Sequence, residues 1–308
     1  MSGKKAAKAV TGKGGSKERL TFHLMLLPGM IMLLIFVFVP LVGSLMAFQD
    51  YIPARGLFGS KWVAWENFEI IFSFPDSVQV FWNTLIIAFA KLVFNTIVPV
   101  LFSILLNELG GSFFKRTFQT IVYLPHFLSW VVLATVVSNM FSLDGPINAF
   151  FGLFGMEPIQ FLADNNWFRT VIVGTDVWKE FGYNSVIYLA ALLSIDPGLY
   201  EAGSIDGASR FKQILHITIP SLMPTIVLMV ALNLGNILNA GFDQIFNLYN
   251  PIVYETGDII DTYVYRIGMV EGQYSIGAAV GLFKSVISFV LILGANKLAK
   301  KTTGSGIF

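Results

Sequence analysis

The 308-residue sequence contains no cysteine, and only 13% of its residues are charged. Without cysteine the chain has no disulfide, no thiolate metal site and no cysteine nucleophile. Soluble globular domains carry about 25% charged residues, so a chain with so few cannot cover its surface with groups that water solvates. The net charge of +1 gives no indication of nucleic-acid binding.

Signals for catalysis are also missing. The three histidines, His23, His126 and His216, lie on separate segments without the spacing of metal ligands, and we expect His126, beside Pro125, to be a packed polar group near a helix end. There is no G-x-x-x-x-G-K-[ST] phosphate-binding loop, so we do not expect this chain to hydrolyse ATP by itself. We also find no set of residues that would combine a catalytic nucleophile with a general base. The sequence therefore predicts a non-catalytic chain without a metal or cofactor of its own.

The sequence has long apolar runs instead, with 55% hydrophobic residues and 29 phenylalanines. A helix needs about 20 mainly apolar residues to cross a bilayer. Six runs meet this requirement, and they occupy residues 22–48, 81–106, 118–141, 168–195, 219–241 and 276–298. The fold class predicted is an all-α integral membrane protein with six transmembrane helices.

The ends of the chain and its basic residues predict the domain organisation and orientation. Residues 1–20 form a basic leader that we expect to be disordered, residues 21–298 the transmembrane domain, and residues 299–308 a tail. The first apolar run is longer than the apolar part of a signal peptide, about 7–15 residues, so we expect it to be retained. Lysine and arginine concentrate at the leader, near 115, near 211 and after 296, which places both termini in the cytoplasm. The outer connections are then 49–80, 142–167 and 243–275.

One polar segment between two apolar runs carries local structure signals. It reads "LYEAGSIDGASRFKQILHITIPSLMP" from residue 199. Pro197 suits the first turn of a helix, Glu201 suits the early part of that helix, and Gly207 suits a turn that needs positive φ. A second helix is predicted over 208–219, with four residues on one face, Phe211, Ile214, Leu215 and Thr218. We expect two short helices at a sharp angle on the cytoplasmic surface, either as a docking element or as an amphipathic interfacial loop.

This segment resembles the cytoplasmic EAA loop of ABC importer permeases. Seven positions match the family pattern, namely Glu201, Ala202, Asp206, Gly207, Ala208, Ile217 and Pro220. Two depart from it, since Gly203 replaces a usual alanine and Ile214 a common phenylalanine. The resemblance implies the type I ABC importer fold, in which the loop 197–220 docks into a cleft of the ATPase subunit and transmits its ATP-driven motion.

The resemblance extends over nearly the whole chain. "LLPGMIMLLIFVFVPLVGSLMAFQDY", "FWNTLIIAF" and "FKRTFQTIVYLPHFLSWVV" are similar to successive segments of carbohydrate-type permeases, most of all the branch that imports oligosaccharides from plant or algal polysaccharides. The resemblance implies a multi-pass subunit of the bacterial cytoplasmic membrane. Its implied partners are a second homologous permease in a heterodimer, two ATPase subunits that bind ATP and magnesium, and an extracytoplasmic solute-binding protein.

Polar side chains inside the fourth and fifth runs are the candidates for a solute pathway, because ionisable groups in a membrane face the bundle interior or water. The fourth run carries Asp176, Lys179, Glu180, Tyr183, Asn184 and Tyr188 at helical spacing, and the fifth carries Asn233, Asn236, Asn239, Asp243 and Gln244. Asparagines, carboxylates and aromatic rings suit sugars, although such residues also join helices by hydrogen bonds. We expect Asp176 to pair with Lys179, and Lys91, Asn95 and Lys284 to serve packing or subunit contacts.

A different class of transporter stays open at this stage. Intramembrane carboxylates such as Asp176, Glu180 and Asp243 also occur in carriers that are driven by an ion gradient. Such carriers often contain internal repeats, and no repeat is evident here. The sequence thus favours the permease subunit of an ATP-driven sugar importer, with an ion-coupled secondary transporter of a polar solute as the alternative.

Overall fold

The structure is a computed structural model that describes residues 16–109, 111–235 and 237–303. Helices dominate it, and the α-helices are numbered here in chain order. The first eight are α1 (Ser16–Leu33), α2 (Val39–Gly43), α3 (Gly56–Gly59), α4 (Glu66–Ser73), α5 (Pro75–Glu108), α6 (Ser112–Tyr123), α7 (Trp130–Met140) and α8 (Pro146–Gly152). The next eight are α9 (Phe168–Leu193), α10 (Pro197–Ile205), α11 (Arg210–Gln213), α12 (Ile219–Leu234), α13 (Phe242–Leu248), α14 (Tyr254–Gly257), α15 (Ile260–Val264) and α16 (Tyr274–Thr303).

Shorter segments connect several of these helices. Leu34–Phe38, Ile214–Thr218 and Tyr265–Val270 are π-helical, while Ser44–Phe48, Leu124–Phe127 and Pro251–Val253 form 3-10 turns. The leader was predicted to be disordered through residue 20, but α1 begins at Ser16, so that prediction is wrong for residues 16–20. Residues 1–15 and 304–308 lie outside the described part of the chain.

Four helical stretches of the described residues are long and apolar enough to cross a membrane. They are Leu20–Phe48, Pro75–Glu108, Arg210–Leu234 and Tyr274–Lys297. Each overlaps a predicted span. The stretch that ends at Leu234 begins earlier and stops earlier than the predicted span 219–241. A fifth crossing follows if the bent pair Phe113–Phe127 and Trp130–Met140 counts as one span.

The third predicted span, 118–141, is not one continuous helix. Its two halves meet at an angle of 106°, with a 3-10 turn over Leu124–Phe127 between them. Pro125 has no backbone N–H to continue the α6 ladder, which ends the helix. Ser129 then begins α7, because its hydroxyl accepts a hydrogen bond from the Val132 N–H at 3.4 Å. The third predicted span is therefore bent at this break.

Helix α9 matches the fourth predicted span, 168–195. It is not among the four apolar stretches above, because it contains too many charged side chains. It packs along α5 and also contacts α6 and α12. The hydroxyl of Ser103 on α5 donates to the Ser185 carbonyl oxygen of α9 at 3.0 Å, and both serines are fully buried. Burial between neighbouring helices explains how a helix with Asp176, Lys179 and Glu180 can lie within a membrane domain.

The first apolar stretch has a different environment. None of the residues in the apolar window of Leu20–Phe48 is buried within the chain. Its phenylalanines and leucines, such as Phe36 at 70% exposure, face outward. Lipid or another subunit must therefore cover this helix.

A small β-hairpin departs from the all-α expectation. Strand β1 (Gln49–Asp50) pairs antiparallel with β2 (Lys61–Trp62), with Gln49 opposite Trp62. The buried Asn67 amide donates to the carbonyl oxygens of Ala47 and Gln49, both at 3.0 Å. The hairpin lies in the predicted outer connection 49–80, where water can satisfy the edges of short strands, as lipid could not.

Candidate functional site

A polar cavity of about 300 Å³ lies between α5, α9 and the chain that follows α12. Its polar lining comes from three segments that are distant in sequence. The lining side chains are Lys91 and Asn95 of α5, Asp176, Glu180 and Asn184 of α9, and Asn233 and Asn239 near the end of α12. The two polar stripes predicted from the sequence therefore meet in one cavity, together with two α5 residues that had been assigned to packing.

Lys91 joins the three walls of the cavity. Its ammonium group lies 2.9 Å from Asp176 Oδ1 and donates to the Ala240 carbonyl oxygen at 2.8 Å and to Gln244 Oε1 at 2.5 Å. These three contacts use all of its donors. The predicted Asp176–Lys179 pair is consequently wrong, since α9 turns Asp176 towards α5.

Asn95 extends this network and leaves one acceptor free. Its amide group donates to Asp176 Oδ2 at 2.8 Å. Its own Oδ1 is buried and has no hydrogen-bond partner among the described residues. The amides of Asn184 and Asn233, which also line the cavity, make no side-chain hydrogen bond within the described ranges. Several amide groups that lack a side-chain hydrogen bond among the described residues thus line the polar cavity.

Helix α12 ends at Leu234, and the irregular segment between α12 and α13 forms one wall of the polar cavity. Gly241 has φ +99°, a conformation that glycine adopts without strain, and α13 begins directly after it. A Cβ atom at this position would lie 2.7 Å from Lys91 Nζ. The break frees the Ala240 carbonyl for Lys91, so the glycine and the lysine depend on each other.

Glu180 is a second charged group in the lining of the cavity. Glu180 Oε2 lies 2.8 Å from His126 Nδ1, and Glu180 Oε1 lies 3.3 Å from Lys179 Nζ. Lys179 also donates to the His126 carbonyl oxygen at 2.6 Å. The α6–α7 break is therefore bound to α9 through His126, which is the packed polar residue near a helix end that the sequence predicted.

The remaining predicted pathway residues lie elsewhere. Tyr188 is 2% exposed and packs in an apolar cluster with Val100, Leu192 and Leu222, so its assignment to the pathway is wrong. Tyr183 stacks on the His126 ring at 3.9 Å and does not line the cavity. Asp243 is exposed on α13 outside the cavity. Asn236 lies outside the described residues.

Lys91 and Asn95 are the cavity residues that the sequence analysis misassigned. A signal for them did exist, because a lysine inside an apolar run needs a carboxylate or carbonyl partner when it is buried. The partner could not be chosen from the sequence, since Asn95 and Asp176 are 81 positions apart.

A second cavity, of about 370 Å³, lies near the start of α5 and within the predicted outer connection 243–275. Asp258 is buried there and forms an ion pair with Arg266. Burial raises the pKa of Asp258, and hydrogen bonds from Thr262 and Arg266 offset this only in part. Burial acts to lower the pKa of Arg266, but the contact with Asp258 outweighs it and the pKa is raised. Asp76 and Glu255 complete a charged rim.

The predicted coupling segment forms two helices joined by a turn. Asp196 begins α10, since its carboxylate accepts the Gly198 N–H at 2.9 Å, and Pro197 occupies the first turn. Gly207 ends this helix with φ +75°, as predicted. The second helix begins at Arg210 rather than at residue 208, and Glu201 lies beyond the first turn of α10.

Polar contacts hold the two helices together. Gln213 is 5% exposed, and its amide donates to Ser204 Oγ at 2.9 Å. The hydroxyls of Tyr200 and Thr218 lie 2.9 Å apart. A Cβ atom on Gly203 would approach Ile217 Cδ1 to 3.2 Å, so the glycine that departs from the family pattern permits close packing here.

The outer surface of this segment is apolar. Ile205 is 87% exposed and Phe211 is 73% exposed. The face predicted to contain Phe211, Ile214, Leu215 and Thr218 is divided, because Thr218 is buried while Phe211 and Leu215 point outward. The segment therefore presents large apolar side chains beside small residues such as Ala202, which suits protein docking.

Comparison with known proteins identifies the family. Residues 99–304 match the family described as "Binding-protein-dependent transport system inner membrane component". The chain is 40% identical to protein LplB of Bacillus subtilis (strain 168) over 304 residues, which cover 98% of this chain and 96% of LplB. It is 41% identical over 287 residues to YteP, the polygalacturonan/rhamnogalacturonan transport system permease protein of the same organism, covering 93% of this chain and 89% of YteP.

Solved structures agree with this assignment. A chain of a bacterial ABC transporter involved in the import of the acidic polysaccharide alginate superposes with a TM-score of 0.85 at 37% identity, covering 93% of this chain and 97% of that chain. A second structure, of the alginate transporter in complex with an alginate pentasaccharide-bound periplasmic protein, gives a TM-score of 0.86 at 37% identity over 94% of this chain and 98% of that chain. The chain has the type I importer permease fold, and it belongs to the family of binding-protein-dependent transport system inner membrane components.

Proposed function

We propose that this chain is the permease subunit of an ATP-driven importer, and that its polar cavity belongs to the pathway of a sugar or oligosaccharide. The observation that carries the proposal is the buried Asn95 Oδ1, an acceptor without a protein donor among the described residues, in the wall of the cavity. A buried acceptor without a partner costs about 1–3 kcal/mol, which a hydroxyl group of a passing solute can offset. Asn184, Asn233 and Asn239 add further amides, as a solute rich in hydroxyls requires.

The relatives support an oligosaccharide rather than a single sugar. YteP is named for polygalacturonan and rhamnogalacturonan, and the alginate transporter was solved with a pentasaccharide on its periplasmic protein. Lys91 in the cavity is already saturated by Asp176, Gln244 and a carbonyl group. The cavity therefore suits the hydroxyl groups of a sugar, whatever charge the sugar carries elsewhere.

The coupling role belongs to the loop 197–220. Its proposed contact residues are those of the family pattern, Glu201, Ala202, Gly203, Asp206, Gly207, Ala208, Ile214, Ile217 and Pro220. The exposed Ile205 and Phe211 give the docking surface apolar area. Closure of two ATPase subunits, which bind ATP and magnesium, would move this loop and turn the cavity outward, and hydrolysis would return it inward.

The complete importer would contain several other subunits. We propose a second, homologous permease in a heterodimer, two ATPases and an extracytoplasmic solute-binding protein, in a bacterial cytoplasmic membrane with both termini of this chain inside. The unburied helix Leu20–Phe48 supports assembly with another membrane subunit. An ion-gradient carrier is less well supported, because two of the three carboxylates that suggested it, Asp176 and Glu180, are paired with Lys91 and Lys179.

The cavity is tested by substitutions that leave its charge network intact. Asn184→Ala and Asn233→Ala should each raise the KM for uptake by about fivefold, the loss of roughly one hydrogen bond, without changing assembly. The matched control is Ser285→Ala on α16, whose hydroxyl bonds to the Gly281 carbonyl of its own helix. Uptake of a labelled oligogalacturonate by membrane vesicles is the measurement. Normal KM values in both asparagine variants would contradict the cavity assignment.

The coupling role is tested by crosslinking, which the absence of native cysteine simplifies. An Ala202→Cys variant should crosslink to an ATPase subunit through a short bifunctional reagent, and ATP should change the yield. Mass spectrometry identifies the adduct, and Phe58→Cys on the outer hairpin is the control that should give none. If the cysteine introduced by Ala202→Cys is accessible from the cytoplasm but gives no ATPase adduct, the result would favour a loop without a coupling role.

A further inference from the structure

We infer that a row of stacked aromatic side chains on α13 and its neighbours forms a track along which a saccharide chain moves between the two cavities. The members are Phe242, Phe246, Tyr249, Tyr254 and Tyr265. This inference rests on the proposed sugar pathway, and it adds a binding surface outside the polar cavity.

The rings form a continuous series of contacts. Phe242 stacks on Phe246 with centroids 5.2 Å apart, Phe246 lies 6.2 Å from Tyr249, and Tyr249 lies 5.1 Å from Tyr254. Tyr265 lies edge-on to Phe246 at 5.0 Å and 5.9 Å from Phe242. These separations fall in the range at which aromatic rings attract each other, so the series is a packed unit.

One end of the series lines the outer cavity, and the other end follows directly in sequence after the polar cavity. Phe242 follows Gly241, which lines the polar cavity between α5 and α9. Tyr254 lines the outer cavity, where the Arg266 guanidinium lies 4.7 Å from its ring centroid. The aromatic series therefore connects a residue of the charged outer cavity to the residue next to Gly241 in the wall of the polar cavity.

The exposed side of α13 does not resemble a surface that faces lipid. Phe242, Asp243, Phe246 and Asn247 share one side of this helix, whereas Gln244, Ile245 and Leu248 are buried on the other. Nearby, Lys284 bridges Asn239 at 2.8 Å and Asp261 at 2.5 Å. Because α13 lies in the predicted outer connection, this mixture of rings, carboxylates and amides suits a surface that faces water.

A saccharide matches this combination of groups. A pyranose ring has an apolar face of C–H groups, which stacks on an aromatic ring, and a rim of hydroxyls, which bonds to polar side chains. Phe246 and Tyr265 are each 38% exposed and offer ring faces, while Asp243 and Asn247 supply acceptors beside them. Because stacking is not specific for one sugar, such a track suits a chain that moves past it.

The first experiment measures access to water and to sugar. Phe246→Cys and Tyr265→Cys are made in the full importer with its partner subunits, and a membrane-impermeant cationic thiosulfonate is applied to membrane vesicles. Modification of both cysteines, slowed by an excess of oligogalacturonate, is expected. Phe289→Cys on α16, at 62% exposure within an apolar stretch, is the control that should stay unmodified. Absence of modification at 246 and 265 would overturn the inference.

The second experiment separates stacking from packing. Phe246→Leu should raise the KM for oligogalacturonate uptake by roughly fivefold, the effect of one lost aromatic contact. Phe246→Tyr, which keeps an aromatic ring at this position, should leave the KM unchanged. Equal KM values for the leucine variant and the unchanged protein would overturn the track. If instead the unchanged importer shows no ATP-dependent uptake of oligogalacturonate, alginate oligomers or neutral maltooligosaccharides, the sugar function fails, and the track fails with it.

Discussion

Lys91 is the residue whose contacts hold the polar cavity together. It connects α5 to Asp176 on α9, to Ala240 in the segment between α12 and α13, and to Gln244 on α13. An ion pair in a region of low dielectric is not strongly stabilising as a pair, but breaking it leaves one buried charge without compensation. The cost of losing Lys91 should therefore come mainly from the carboxylate that stays behind.

We expect Lys91→Met to destabilise the protein by about 3 kcal/mol, because Asp176 loses its cation. Thermal unfolding of the purified protein in detergent measures the change. The double variant Lys91→Met with Asp176→Asn should recover part of the loss, since the uncompensated charge is then gone. Lys61→Met, on the exposed hairpin, is the matched control and should stay within about 0.5 kcal/mol. A double variant less stable than Lys91→Met would argue against this account.

Gly207 is a second position where one residue controls local geometry. Its φ of +75° closes the turn between α10 and α11, and no atom lies within 4 Å of the place where a Cβ would stand. Within this chain, an effect of substitution there comes from backbone conformation, because there is room for a side chain.

Gly207→Ala should strain the turn by about 1–2 kcal/mol. We expect it to reduce solute uptake per ATP hydrolysed in the reconstituted importer, because the turn sets the position of α10. Gly207→Asn should behave nearly as the unchanged protein, since asparagine tolerates positive φ. Equal impairment by alanine and asparagine would point to lost space at a docking surface instead of strain.

At the scale of elements, the contact between α6 and α9 is a close approach of two helices beside the bend. A Cβ atom on Gly182 would lie 2.2 Å from the Val122 carbonyl oxygen. A backbone atom cannot move away as a flexible side chain can, so the two helices would have to separate. That separation would also disturb the Lys179–His126 contact that binds the break to α9.

Gly182→Ala should consequently lower stability by at least about 1–3 kcal/mol, the usual cost of overpacking. Gly174→Ala, also on α9, is the matched control, because no atom lies within 4 Å of its would-be Cβ. Alanine is the better helix former, so this control should be neutral or stabilising by up to about 1 kcal/mol. Thermal unfolding measures both, and equal stability of the two variants would contradict the close approach.

At the scale of the whole molecule, the two ends of the bundle differ in chemistry. One end contains short strands and short helices, namely β1, β2 and α13 to α15, together with the charged outer cavity. The other end contains the coupling segment. The distribution of lysine and arginine predicts that the first is extracytoplasmic and the second cytoplasmic.

This orientation is tested by labelling single cysteines in intact cells. Phe58→Cys, at a residue 97% exposed on the outer hairpin, should react with an impermeant maleimide from outside. Ile205→Cys, at 87% exposure, should react only after the cells are permeabilised. The reverse pattern would invert the topology and remove the basis for the proposed coupling role.

Much of this protein could be predicted without coordinates because the relevant properties are local. Apolar run length indicated a membrane protein, since a bilayer has a fixed thickness. Proline and glycine positions predicted the start and the turn of the coupling segment, because both residues restrict or release φ directly. The polar stripes on α9 and at the end of α12 were identified as sets, and Asp176, Glu180, Asn184, Asn233 and Asn239 do line one cavity.

The pairing of polar side chains and the burial of individual residues could be determined only from the folded structure. Asp176 pairs with Lys91 on α5 and not with the nearby Lys179, because helix packing decides which side chains meet across a bundle. Tyr188 has the same spacing as the cavity residues, yet it lies in an apolar cluster, since periodicity identifies a helix face but not its neighbour. The alignment of the aromatic rings likewise depends on contacts between separate elements. Local composition thus set the class and the elements, whereas long-range packing set the pairs, the cavities and the path between them.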